Sequence, residues 1–90
     1  MYAKEVTITN PTGLHARPAS EFVQAATKFK SNITIRRVDQ EGAATANAKS
    51  ILILLSLGLV SGATIEIAAE GEDEVEAVDS LCELIANLKD

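Results

Sequence analysis

The chain has 90 residues, 47% of them hydrophobic, and a formal net charge of -5, which fits one domain over residues 1–90 with a modest core and leaves no room for a second. The negative charge and the scarcity of aromatics, Tyr2, Phe22 and Phe29 alone, exclude a nucleic-acid binder, which needs a basic stripe and stacking surfaces. The longest apolar run, Ile51 to Leu55, falls well short of the roughly 20 residues of a bilayer span, so no membrane insertion is expected.

The N-terminus enters an alternating pattern at once and shows no signal-peptide pattern, so a cytoplasmic location is expected. Cys82 is the single cysteine, which precludes an internal disulfide or a thiolate cluster within the chain; core packing is its expected role. Acidic residues gather in the C-terminal third. Arg17, Lys28, Lys30, Arg36, Arg37 and Lys49 make the first half locally basic, enough to suggest a positive face toward an acidic partner.

Val6 and Ile8 alternate with Thr7 and Thr9 as a first strand that ends at the turn residues Asn10-Pro11-Thr12-Gly13. From Ala16 the period lengthens. Ala19, Phe22, Val23, Ala26 and Phe29 mark one face of a helix reaching about Lys28. After Ser31-Asn32, Ile33, Ile35 and Val38 form a second strand, Asp39 to Gly42 a hairpin turn, and Ala43 to Ala46 a short third strand. Ser50 as N-cap and Gly58 as stop enclose a two-turn helix over Ile51-Leu52-Ile53-Leu54-Leu55, the cap contributing about 1 kcal/mol. Thr64 to Ala68 alternates as a fourth strand. Val75, Val78, Leu81, Cys82, Ile85 and Leu88 give the last helix its stripe, with Glu72, Asp73, Glu74 and Glu76 at its positive end. The order βαββαβα fits an α+β open-faced sandwich: a four-stranded antiparallel sheet with three helices on one face and water on the other. A chain of this size is expected to be a monomer.

The chemistry concentrates at Gly13-Leu14-His15-Ala16-Arg17-Pro18. With His15 as N-cap, Pro18 sits in the first helical turn, where its missing N–H costs nothing. The N–H groups of Ala16 and Arg17 are then left pointing out of the helix end, a ready site for an anion such as phosphate. A neutral imidazole is a competent nucleophile near neutral pH, whereas a serine would need a separate base. Arg17 supplies fixed positive charge to phosphoryl oxygens during transfer. No second histidine, cysteine pair or carboxylate cluster accompanies His15, so no metal, cofactor or catalytic triad is expected. On these residues alone, a module that binds a metabolite without covalent chemistry at the same helix end remains an alternative.

Gly13-Leu14-His15-Ala16-Arg17-Pro18-Ala19 resembles the active-site motif of the HPr family, the histidine phosphocarriers of the bacterial phosphoenolpyruvate sugar phosphotransferase system. Lys49-Ser50-Ile51 and Leu55-Ser56-Leu57-Gly58 resemble its second motif, and the resemblance covers the whole chain. It implies that His15 takes phosphate on Nδ1 from phospho-enzyme I and passes it to enzyme IIA domains, with Arg17 assisting. The chain would then be a carrier, not an enzyme. The resemblance further implies that Ser50 is a regulatory phosphorylation site for HPr kinase/phosphorylase, and that Ile51, Leu52 and Leu55 dock partners. A mainly regulatory relative, signalling through phospho-Ser50 to a catabolite-control repressor, is the alternative within the family.

Three departures from the family pattern stand out. The Val38 to Thr45 turn is a few residues longer, the second helix carries bulky Ile53 and Leu54, and the chain stops at Asp90 with no C-terminal carboxylate assignable to Arg17.

Overall fold

The computed structural model describes residues 1–89, and Asp90, with whatever its carboxylate does, lies outside the described residues. The elements are β1 (Tyr2–Thr7), α1 (Ala16–Thr27), β2 (Asn32–Arg37), β3 (Ala46–Asn47), α2 (Ile51–Ser56), β4 (Thr64–Glu70) and α3 (Glu74–Ala86). The expected βαββαβα order holds. The strands form one antiparallel sheet in the order β1-β4-β2-β3, so β4 and β2 are interior. Strand alternation sends Ile33, Ile35, Ile65 and Ile67 to one face, where they meet Phe22 and Ala26 of α1, Leu54 of α2, and Val78, Leu81 and Ile85 of α3. The opposite face stays wet. There Thr7 and Thr64 share a hydroxyl hydrogen bond of 2.9 Å, and Arg36 pairs with Glu66 at 3.1 Å.

Several boundaries move. β1 begins at Tyr2, and Ile8 lies just past its end, fully buried, donating its N–H to Ala63 at 2.8 Å. β3 is two residues, Ala46–Asn47, instead of Ala43 to Ala46, and pairs with Ile35 and Thr34. The alanines before it give a strand no face to bury, and Ala44 is exposed; only Ala46 and Ala48 reach the core. Segment 38–45 is consequently a broad loop rather than a tight hairpin turn. Val75 leaves the stripe assigned to it and is exposed, while Ala77 takes the buried position beside Val78.

Ser50 occupies the N-cap of α2, but its side chain makes no cap hydrogen bond, so the expected 1 kcal/mol from capping is not realised. The other end behaves as expected: Leu57 is the C-cap and Gly58 follows at φ +65°, the left-handed residue that ends helices.

Asp73 is the N-cap residue of α3 but commits its carboxylate elsewhere. Placed at the start of α3, it makes no cap bond there. Its carboxylate instead accepts the N–H groups of Lys30 and Ser31, at 2.9 and 3.0 Å, and the Ser31 hydroxyl. The turn after α1 is thereby stitched to the turn before α3. Gly71 completes the stitch, since a Cβ there would lie 2.6 Å from Ser31 Oγ. The Ser31 hydroxyl first, and then the Lys30 N–H, hold the Asp73 carboxyl below its ordinary range. At the edge strand, Tyr2 Oη donates to Asp79 at 2.9 Å and Lys4 Nζ pairs with it at 2.9 Å, fastening β1 to α3.

Candidate functional site

His15 is the N-cap of α1, with extended backbone at φ -142° and ψ 153°, and its side chain makes no cap bond. The imidazole is exposed. Pro18, third residue of the helix, is buried against the core with Ala19 and Phe22, so the helix end is anchored while His15 and Arg17 stay outside. Among the described residues, no backbone carbonyl accepts the N–H of Ala16 or Arg17. Both expected donors are open.

One feature of this helix start has no sequence signal. Ala16 has φ +52°, the one non-glycine residue in the left-handed region among those described. That conformation costs an L-residue about 1 kcal/mol, and it sits directly between His15 and Arg17.

The loop carrying His15 is held from beneath. Asn10, almost fully buried, donates Nδ2 to the Gly13 carbonyl at 2.9 Å, and the Gly13 N–H returns to the Asn10 carbonyl at 3.2 Å. Leu14 donates its N–H to Leu59 at 2.8 Å. Gly13, at φ +70°, packs so tightly on this segment that a Cβ would collide with the Leu59 carbonyl and come within 2.9 Å of Val60 Cα. Glycine is required there. Asn10 and Leu59 are thus supports of the site that sequence reading took for an ordinary turn residue and an unremarked apolar one.

His15, Thr12, Leu14, Leu55, Gly58, Leu59 and Val60 line an open depression of about 290 Å³. The structure therefore brings His15 to the C-terminal end of α2. Ser50 lies at the other end of that six-residue helix, about 9 Å along its axis at 1.5 Å per residue. Leu52 is 79% exposed, Ile53 46% and Leu55 38%, with Val60 at 58% beside them, while Leu54 is fully buried. Ile51 is half-buried against the core. The exposed apolar surface of α2 and the turn after it is accordingly Leu52, Ile53, Leu55 and Val60, of which Leu55 and Val60 adjoin His15 in the depression.

The basic face is thinner than the sequence suggests. Arg36 pairs with Glu66, Arg37 with Asp39, and Lys30 weakly with Glu72 at 4.0 Å, while Lys49 Nζ donates to the Phe29 carbonyl at 2.8 Å. Among the described residues, Arg17 has no acidic partner. Cys82 is half-buried and packs against the core, and burial pushes its thiol above the ordinary value, the opposite of a reactive thiolate. The described residues contain no group of three potential metal ligands, and no helix among them is long and apolar enough to cross a membrane.

Fold and site together define a small open-faced α+β sandwich that presents one exposed histidine beside an apolar rim. A family model described as "PTS HPr component phosphorylation site" matches residues 2–87. The phosphocarrier protein HPr of Haemophilus influenzae is 44% identical over 89 residues, covering 99% of this chain and all of that protein. The HPr-like protein Crh of Halalkalibacterium halodurans is 45% identical over 85 residues, 94% of this chain and 96% of that one. The crystal structure of HPr-C-His from Thermoanaerobacter tengcongensis superposes with a TM-score of 0.87 at 44% identity, covering 96% of this chain and 92% of that one. The chain belongs to the HPr family of phosphocarrier proteins of the phosphotransferase system.

Proposed function

We propose that His15 is the phosphoryl-carrying residue, taking phosphate from phospho-enzyme I and giving it to enzyme IIA domains. The observation that carries this is an exposed imidazole at the N-cap of α1, followed by two backbone donors and an arginine that, among the described residues, have no carbonyl and no acidic partner respectively. Nδ1 of the neutral ring attacks phosphorus, a P–N bond forms as the bond to the donor breaks, and the second transfer reverses this toward the acceptor. The N–H groups of Ala16 and Arg17 and the Arg17 guanidinium stabilise charge on the equatorial oxygens. Enzyme I and enzyme IIA supply the remaining catalytic groups, and the exposed side chains of Leu52, Leu55, Ile53 and Val60, with the outer half of Ile51, form the surface on which they dock. Incubation with phosphoenolpyruvate and enzyme I tests the reading, which expects one acid-labile phosphate per chain.

A second role is favoured by Ser50. Its hydroxyl is not used as a cap, and relatives of this chain include an HPr-like protein Crh. We propose Ser50 as a regulatory phosphorylation site for HPr kinase/phosphorylase, whose product places negative charge next to Leu52 and favours a catabolite-control repressor over the transfer partners. A kinase assay comparing the natural chain with Ser50→Ala decides it, with phosphate uptake lost in the variant.

A further inference from the structure

Arg37 is the last residue of β2, and strand alternation puts it on the same face as Ile33 and Ile35, opposite the fully buried Ile65 of β4. A guanidinium on the core-facing side needs partners for the donors it turns away from water. Its side chain is only 13% exposed. Nε and Nη2 donate to the two Asp39 oxygens at 3.0 and 2.9 Å, a bidentate fork, and Nη1 donates to the Gly58 carbonyl at 2.9 Å. Asp39 alone would neutralise Arg37. The third bond reaches across 21 residues to the end of α2, and Gly58 is a wall of the depression beside His15.

From Gly58 the chain passes directly to Leu59, whose carbonyl holds the Leu14 N–H and whose backbone Gly13 presses upon. Arg37 therefore grips one end of the segment on which the His15 loop rests. Resting on the carrier reading above, we infer that Arg37, oriented by Asp39, is a positioning residue for phosphoryl transfer: it clamps Gly58 and so fixes the Leu59 platform that aims His15. Asp39 lies at the start of the 38–45 loop, so the clamp is built from the last residue of β2 and the loop that follows it. The Arg37 fork draws the Asp39 carboxyl below its ordinary range, so the clamp keeps its charge to a lower pH than a free aspartate would.

Arg36 provides an internal control, since it is the neighbouring arginine of the same strand and makes a single-contact ion pair with Glu66 on the open face of the sheet, with no bond to Gly58. Three variants, Arg37→Ala, Arg37→Lys and Arg36→Ala, are compared by amide hydrogen exchange and by the rate of phosphate gain from phospho-enzyme I at saturating and subsaturating enzyme I. Arg37→Ala should raise Leu14 exchange about tenfold over the change at Ile67, which reports global opening. It should also lower the saturated transfer rate about tenfold with little change in KM, because misaim costs turnover more than docking. Arg37→Lys, which retains charge but not the fork, should fall between, and Arg36→Ala should match the natural chain in both readouts. The inference is overturned by Arg37→Ala transferring like Arg36→Ala, or by Leu14 exchange rising only in step with Ile67. A natural chain that takes up no phosphate would bring down the carrier reading and this inference with it.

Discussion

Leu14 donates its backbone N–H to the carbonyl of Leu59 at 2.8 Å, and this bond joins the loop that carries His15 to the segment that leaves α2. The histidine loop and the segment that carries Val60 are thus hydrogen-bonded along one edge. Gly13 lies against the same carbonyl with no space for a Cβ. Gly13→Ala should therefore destabilise the fold by about 2 kcal/mol or more, from collision added to a positive φ. Gly42, at φ +76° with nothing near its Cβ position, should tolerate the same change for about 1 kcal/mol. Denaturant melts of the two variants measure the difference directly.

Ala16 invites the reverse substitution. Glycine adopts φ +52° without steric cost, so Ala16→Gly should stabilise the protein by about 0.5–1 kcal/mol, a rise of a few degrees in Tm for a chain of this size. A loss of transfer rate accompanying the gain in Tm would show that the constrained backbone helps aim His15.

Leu52 and Leu54 are two residues apart on α2 and should respond in opposite ways. Leu52→Ser, at a position 79% exposed, should change stability by less than about 0.5 kcal/mol and weaken binding to enzyme I severalfold by titration calorimetry. Leu54→Ala, at a fully buried one, should cost about 2–5 kcal/mol. Unaltered affinity in Leu52→Ser would remove that side chain from the docking surface.

Asp73 makes acid sensitivity specific. Its folded-state carboxyl is held below the ordinary value of 3.8 by the Ser31 hydroxyl first and then by the Lys30 N–H. The stabilisation is therefore fully present above that value and is lost as pH falls through the lower, folded-state value. The stability difference between the natural chain and Asp73→Ala should be constant above about pH 5 and shrink steadily below the ordinary aspartate range. A difference that grew on acidification would contradict the assignment.

What the sequence reveals here depends on how local the physics is. His15, Arg17 and Pro18 are adjacent in the chain and their roles follow from one helix terminus, so that part is readable. So is α2, bounded by Ser50 and Gly58. The alanines from Ala43 to Ala46 carry no facial pattern, and their strand is accordingly misplaced. Val75 shares the apolar character of its helix but sits in the first turn, facing out. The supports of the site are long-range contacts: Leu14 with Leu59, Arg37 with Gly58, and Asp73 with Ser31. None leaves a periodicity. The positive φ of Ala16 is likewise a property of the folded loop and not of alanine.

The central claim is that His15 itself carries the phosphoryl group, and intact-mass analysis after incubation with phosphoenolpyruvate and enzyme I tests it most directly. The natural chain should gain a single phosphate that is lost in acid, and His15→Ala should gain none while keeping its fold. Undiminished, acid-labile phosphate on His15→Ala would contradict the claim.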